Sequence, residues 1–335
     1  MISKNKKKIL LVGGCGFIGH NLALKLKFLG NEVYVFDGLA VNNLISFNGK
    51  NIKNKKLYTT ILQERINLLN ENDIQLHVED ARNYHALSKT IEDISPDIII
   101  HLAAISHANE SNKNPHNTFD HSLRTLENSL DNCRDKKIHL IYISSSMVYG
   151  NFKSKEALES DRCCPLGIYG NLKLAGELIV KSYHQVFDMP YTIIRPSALY
   201  GERCVSRRVG QIFIENALYS APITVSGDPS EKLDFTYIED LIYGISLCCE
   251  KEQAKNETFN ITYGNSRSLE ELINVLKKEF SNIEVEYKNR DKFTPIRGTL
   301  NIDKAKKLLG YKPEYPIEIG YKNYINWYKE FYKKL

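Results

Sequence analysis

The stretch Ile9-Leu10-Leu11-Val12-Gly13-Gly14-Cys15-Gly16-Phe17-Ile18-Gly19 decides how this chain folds. Four apolar residues read as a short buried strand, and the glycines at 13, 16 and 19 turn it. Helical apolar spacing follows over Asn21–Leu29, stops at Gly30, and gives way to a second strand at Glu32–Asp37. Further strands are expected at Ile74–Val78, Ile98–Ala103, Ile138–Ser144 and Tyr191–Arg195. Helical patterns lie between them, over Tyr84–Ile94, Thr118–Asn132 and Leu172–Phe187. Alternation of this kind predicts an α/β fold, a doubly wound parallel sheet covered on both faces.

The glycine turn also implies a ligand. Glycines at its three positions let the backbone approach a pyrophosphate at the N-terminus of the following helix. Asp37 closes the second strand 18 residues after Gly19, where a carboxylate accepts from a ribose 2′-hydroxyl and repels a 2′-phosphate. No Arg or Lys lies between Asp37 and Asn48. The expected cofactor is therefore NAD rather than NADP, in a Rossmann domain, with Gly13, Gly16, Phe17, Ile18, Gly19 and Asp37 around it.

Tyr169 and Lys173 stand four residues apart, 24 and 28 residues after Ser145. On a helix such a pair shares one face. An ammonium beside a phenol favours the phenolate, which can take a hydroxyl proton while a hydride leaves the same carbon. Tyr169 is the expected base, with Lys173 holding its charge and the nicotinamide ribose.

Composition narrows the remaining classes. The chain has 335 residues, a hydrophobic fraction of 42%, a charged fraction of 25% and a formal net charge of +5. These values suit a soluble globular protein of one large or two smaller domains. Much of the excess charge sits in Lys6, Lys7 and Lys8 and in the cluster Lys50–Lys56, expected at a solvated surface. Nothing calls for nucleic acid. No run approaches a membrane span, and the apolar run at the N-terminus is too short for a signal peptide. Seven cysteines without Cys-x-x-Cys spacing argue against a zinc site or a disulfide framework, so no metal and a cytoplasmic setting are expected.

Beyond Pro196 the pattern becomes irregular, with helical pieces at Gly210–Tyr219, Leu269–Phe280 and Asp303–Leu309. The expected division is a cofactor domain over 1–195, completed by about 235–262. A smaller mixed α/β substrate domain takes 196–234 and 263–335. The connection from Leu39 to Asp73 is long, with a helix expected near Leu62–Leu69, and such connections are more often functional or interfacial than idle.

Together these motifs resemble the NAD-dependent sugar epimerase/dehydratase family of extended short-chain dehydrogenases/reductases, over nearly the whole length. Further matches are Asp80-Ala81-Arg82, His101-Leu102-Ala103-Ala104, Ser144 to Gly150, Tyr169 to Lys173 with Gly176-Glu177, Arg195-Pro196, Asp234 to Ile238, and Leu309 to Pro313. The resemblance implies Asp80 and Ala81 near the adenine and Leu102, Ala103 and Ala104 beside the cofactor. It makes Ser145, four residues before Tyr149, the serine that binds the reacting oxygen, and it implies a nucleotide-diphosphate sugar as substrate and a homodimer or higher homo-oligomer through Thr118–Asn132 and Leu172–Phe187.

Departures from the family pattern narrow the reaction. Ser146 and Met147 stand where dehydratases of the family carry an Asp-Glu pair, and methionine cannot shuttle a proton. Oxidation at sugar C4 remains, followed by return of hydride to the other face, an epimerisation serving surface-polysaccharide synthesis. The alternatives are net C4 dehydrogenation with release of the ketone, then a 4,6-dehydratase or a non-catalytic NAD-binding regulator. Ala198 and Leu233 replace residues that in the family help hold the diphosphate. Arg203, Arg207, Arg208 and Arg297 are the candidates for that work, Arg297 matching a family position, and Ser146 is expected beside the substrate. His121 stands near a family Asn and Arg124 near a Gly, where a structural histidine is favoured over a catalytic one.

Overall fold

A computed structural model describes residues 6–47, 53–106, 108–290 and 293–335. Seven strands form one parallel sheet: β1 Lys8–Val12, β2 Glu32–Phe36, β3 Gln75–His77, β4 Ile98–His101, β5 His139–Ile143, β6 Tyr191–Arg195 and β7 Glu257–Asn260. Their spatial order is β3-β2-β1-β4-β5-β6-β7, with Leu10 opposite Tyr34 on one side and Ile99 on the other. Side chains alternate across the pleat. Ile9, Leu11, Ile98 and Ile100 enter the core on one face, and Leu10, Val12, Ile99 and Leu140 the core on the other. Burial on both faces explains why these strands read as unbroken apolar runs. The order reverses between β1 and β4, which opens a crevice at their C-terminal ends.

The longer helices are α1 Phe17–Phe28, α2 Lys55–Glu71, α3 Tyr84–Ile94, α4 Thr125–Arg134, α5 Gly167–Phe187, α6 Val209–Leu218, α7 Ile238–Glu250, α8 Leu269–Glu279, α9 Asp303–Leu309 and α10 Ile317–Lys333, of which α1 to α5 and α7 flank the sheet. The helix expected over 62–69 is longer at both ends, because Leu57, Tyr58, Ile61, Leu62 and Leu69 form an inward stripe. The helix expected over 118–132 is interrupted. A short helix at Pro115–Phe119 leads into a π-helical turn at Asp120–Arg124 before α4 begins. Asp120 is held there by Arg82, 3.0 Å away. α7 packs on α1, and β7 extends the sheet beyond β6.

Short strand pairs and α6, α8 and α10 build the smaller lobe, centred on Tyr200, Tyr321, Tyr324 and Tyr328. Asp234 is its buried tie, accepting from Thr262 Oγ1 at 3.0 Å and from the amides of Gly264 and Leu300. Of the lysines expected in solvent, Lys53, Lys55 and Lys56 are exposed and Lys50 lies outside the described residues. Lys7 and Lys8 are half-buried instead, donating to the carbonyls of Cys249 and Ile94.

α5 lies close to β5 because Gly176 lets it. A Cβ at Gly176 would stand 2.3 Å from the Tyr142 hydroxyl and 3.1 Å from Leu126 Cδ2. Replacing a helical glycine by alanine ordinarily gains about 1 kcal/mol. Here Gly176→Ala forces two packed side chains apart, at a cost of about 1–3 kcal/mol. Urea titration of this variant is expected to show a lowered midpoint.

Candidate active site

The turn after β1 is shaped by close approaches. Gly13 has φ +84°, and a Cβ on it would stand 2.6 Å from the Ala103 amide nitrogen. A Cβ on Gly19 would stand 2.5 Å from Gly14 Cα, so this glycine sets how near α1 comes to the turn. α1 starts after Gly16 with no capping side chain. Its first amides, at Phe17 and Ile18, thus face an anion site with the positive end of the helix dipole. Asp37 accepts from the Cys15 amide at 2.9 Å and from the Leu39 amide at 2.8 Å. Burial raises its pKa, opposed by those two amides and by Arg65.

One cavity is lined by Gly13, Gly16, Phe17, Ile18, Gly19, Asp37, Asp80, Ala81, Leu102, Ala103 and Ala104. It brings together the residues expected around a dinucleotide, apart from Tyr169 and Lys173. Glycine amides at a helix terminus suit a pyrophosphate, and a carboxylate at the end of β2 suits a ribose diol. The residues present therefore fit NAD. Asp80 and Asp120 grip Arg82 from two sides, at 2.6 and 3.0 Å. His121, on the π-helical turn, joins the cavity wall, its pKa lowered by burial and by Arg82. Arg124 instead points outward and pairs with Glu127.

The serine run at the end of β5 divides its work. Ser144 donates to Glu177 Oε1 at 2.5 Å, and Ser146, 1% exposed, donates to Ser197 at 3.2 Å. Ser145 accepts from the Met147 amide at 3.2 Å, capping the 3₁₀ turn Ser146–Tyr149 and leaving its hydroxyl hydrogen for another acceptor. Tyr169, half-buried, and Lys173, buried, lie one turn apart on α5. Lys173 Nζ donates to the Ile143 carbonyl at 2.7 Å, two residues before Ser145, and lies 5.1 Å from the centre of the Tyr142 ring. Burial pushes its pKa down to about 8, with Glu177 opposing. His101, behind it, is pushed down to about 3 by burial and the lysine charge, and stays neutral.

The candidate arginines separate. Arg297 is half-buried, and its Nε is a buried donor without a partner. Burial brings its pKa down to about 10, helped by Arg208 and Arg290 and opposed by Tyr169 and Glu231. That places three guanidiniums in one neighbourhood with the tyrosine. Arg290 pairs with Glu231, while Arg208 donates to the Ser106 carbonyl at 3.1 Å and lines the cofactor cavity. Arg203 does not join them. Its guanidinium goes to His20 Nε2 and Asn21 Oδ1, both at 3.0 Å, and towards Glu64 at 3.6 Å. Arg207 is exposed.

Sequence reading missed Arg65. Only 1% exposed, it donates to the carbonyls of Cys15 and Arg203 and lines the cofactor cavity. Its signal was an arginine inside the apolar stripe of α2, three residues after Leu62 and four before Leu69.

The chain is similar to known proteins over most of its length. The model of the NAD dependent epimerase/dehydratase family matches residues 9–262. An uncharacterized UDP-glucose epimerase of Bacillus subtilis (strain 168) is 30% identical, over 97% of this chain and 99% of its own. The UDP-glucuronate 4-epimerase of Thermodesulfobacterium geofontis is 29% identical, over 96% of each. Among solved structures, UDP-glucuronic acid 4-epimerase from Bacillus cereus, in complex with UDP-glucuronic acid and NAD, superposes with a TM-score of 0.87. It is 29% identical, covering 97% of this chain and 100% of that one. On this match, over most of a chain built on one parallel sheet, the protein belongs to the NAD-dependent epimerase/dehydratase family.

Proposed function

We propose that this NAD-dependent enzyme inverts C4 of a UDP-linked sugar by oxidising that carbon and reducing it again. The observation that carries this reading is the trio Ser145, Tyr169 and Lys173 beside a turn, Ser146–Met147, that holds no acid. Tyr169, as phenolate, takes the proton of the C4 hydroxyl and later returns it. Ser145 donates a hydrogen bond to the same oxygen, and Lys173 supplies the charge that favours the phenolate. Bound NAD supplies the hydride acceptor and donor for that carbon. Arg297, with Arg208 beside it, holds the diphosphate, for which planar guanidiniums are suited. The segments 196–234 and 263–335 form the substrate side of the cleft. The names of the relatives, UDP-glucose and UDP-glucuronate epimerases, support the substrate class. Surface-polysaccharide synthesis is the proposed use of the product, and the cytoplasm its place. No helix among the described residues is long and apolar enough to cross a membrane.

A second copy of the chain is the proposed partner. Phe119, Leu178 and Val186 are 51%, 58% and 70% exposed, on the short helix Pro115–Phe119 and the outer face of α5. Phe119 also lines a groove with Pro115, His116, Asp120, Ile168 and Leu172, at the N-terminal end of α5. These exposed apolar side chains are the surface proposed for that contact.

Three outcomes are expected. Incubation with UDP-hexoses and UDP-hexuronates, without added oxidant, should give the C4 epimer by proton NMR, and Tyr169→Phe should slow this by about 10²–10⁴-fold. A ketone accumulating with equimolar reduced cofactor would instead make the protein a dehydrogenase. Lys173→Met should also lower turnover, yet raise the melting temperature at neutral pH. Folding depresses the lysine pKa from 10.5 to about 8, so the stability it withholds is present above pH 10.5 and lost as pH falls through 8. The gain in the methionine variant should therefore be full below pH 8 and fade towards pH 10.5. Light scattering should find twice the chain mass for the native protein and one chain mass for Leu178→Glu/Val186→Lys.

A further inference from the structure

The long connection between β2 and β3 places a buried cation against the cofactor turn. Arg65 Nη1 donates to the Cys15 carbonyl at 3.3 Å, and Nε donates to the Arg203 carbonyl at 3.0 Å, with Nη2 on that same carbonyl. The Cys15 peptide is held from its other end as well, its amide donating to Asp37, and Asn43 Nδ2 adds a second donor to its carbonyl at 3.3 Å. Among the described residues no carboxylate is bonded to this guanidinium, although Asp37, Arg203 and the thiols of Cys15 and Cys204 act on it through space. A buried charge satisfied by main-chain carbonyls alone is costly, and an apolar residue would complete the α2 stripe at less cost.

Both carbonyls lie on segments that meet a ligand. Cys15 belongs to the turn facing the cofactor. Arg203 belongs to the loop 201–208, which brings Ser206 and Arg208 to the same cavity. That loop holds left-handed backbone at Arg203 (φ +61°) and Arg207 (φ +51°), conformations that persist only where surroundings impose them. Its fixing is reciprocal. Arg65 grips the Arg203 main chain, and the Arg203 side chain grips His20 and Asn21 of α1. α2 itself is anchored on the substrate side by Tyr58, whose hydroxyl donates to buried Glu215 of α6 at 2.6 Å. Tyr328 of α10 and Gln211 donate to the same carboxylate.

We infer that Arg65 is a positioning residue that locks the cofactor turn to the 201–208 loop, so that the grip on NAD and the grip on a nucleoside diphosphate are coupled. The diphosphate half rests on the proposed nucleotide-sugar reading, and the NAD half does not. Arg65 touches neither ligand in this assignment. It sets where the Gly13–Gly16 amides and the Arg208 guanidinium stand relative to each other, and coupling between two sites acts equally in both directions.

The test is calorimetric titration of NAD into cofactor-stripped protein, and of UDP into NAD-saturated protein. Arg65→Met keeps the apolar stem and removes the donors. It is expected to weaken NAD at least tenfold and UDP at least fivefold with NAD saturating, and Arg65→Lys should recover part of each loss. Arg203→Met, which keeps the main-chain carbonyl, should weaken UDP in the same direction and serves if Arg65→Met does not fold. Affinities within twofold of native for both ligands, whether or not the melting temperature falls, would show a structural arginine and overturn the inference. A loss for NAD with no UDP binding even to the native protein would instead sink the nucleotide-sugar reading and leave the cofactor half standing.

Discussion

The site depends on one buried ion pair. Glu177 on α5 and Arg195 at the end of β6 are 1% and 3% exposed, joined at 2.6 Å by one pair of atoms and 2.9 Å by another. Two charges taken out of water lose solvation that a lone Coulomb contact rarely restores. Here the remaining groups are met. Ser144 donates to Glu177, the Tyr149 hydroxyl accepts from Arg195 at 2.9 Å and donates to Asn260 of β7, and the guanidinium lies 4.8 Å from the Tyr149 ring centre. Burial alone would lower the arginine pKa, and the carboxylate more than reverses it, so the guanidinium stays charged. What the network provides is register. Tyr169, Lys173 and Glu177 follow at four-residue steps along one face of α5, so fixing the third against β5 and β6 fixes the other two relative to Ser145.

Electrostatics along that face then grades from base to anchor. Lys173 lies between the Tyr169 phenol and the Glu177 carboxylate, close enough to the latter to be held partly charged against its own burial. His101, which a less buried position would let titrate near neutrality, is neutral and adds no competing charge. Lys173 stands one turn from Tyr169 on the same helix, while Arg297, from the other lobe, feels the tyrosine through space. In the proposed reaction these two charges serve different ends, one favouring the phenolate and the other binding phosphate oxygens.

What the sequence disclosed follows from how each feature is encoded. Strands at 9–12 and 191–195 were legible because a strand buried on both faces has no polar position to blur it. The glycines at 13 and 19 were legible because a Cβ there would stand 2.5–2.6 Å from main-chain atoms, which leaves no room for any other residue. Arginine assignments were not. A long side chain chooses its partner from tertiary neighbours, so Arg203, close in sequence to Arg208, turned to α1 instead. The π-helical turn at 120–124 was invisible for the same reason, since Arg82 lies far away in the chain. α10 was passed over because its inward stripe, Tyr321, Tyr324, Ile325 and Tyr328, alternates with lysines and reads as only weakly apolar.

The fate of the ketone turns on what stands beside it rather than on the redox pair itself. Elimination of water from the neighbouring carbons needs a group that removes one proton and another that delivers one to the leaving hydroxyl. Met147 offers neither, and the Ser146 hydroxyl is already donated to Ser197 in a buried position. The 3₁₀ turn that carries both is capped by Ser145 itself, so a carboxylate placed at either position would meet a turn already closed around other contacts. In the proposed reaction Tyr169 carries the proton, so the oxygen that lost it is the one that regains it. A carbonyl beside that phenol leaves, in this reaction, by return of hydride, and in the dehydrogenase alternative by release as the ketone. In the proposed epimerisation the face to which hydride returns depends on how the sugar turns about the diphosphate that Arg297 and Arg208 are proposed to hold, so the anchoring of the 201–208 loop bears on stereochemistry.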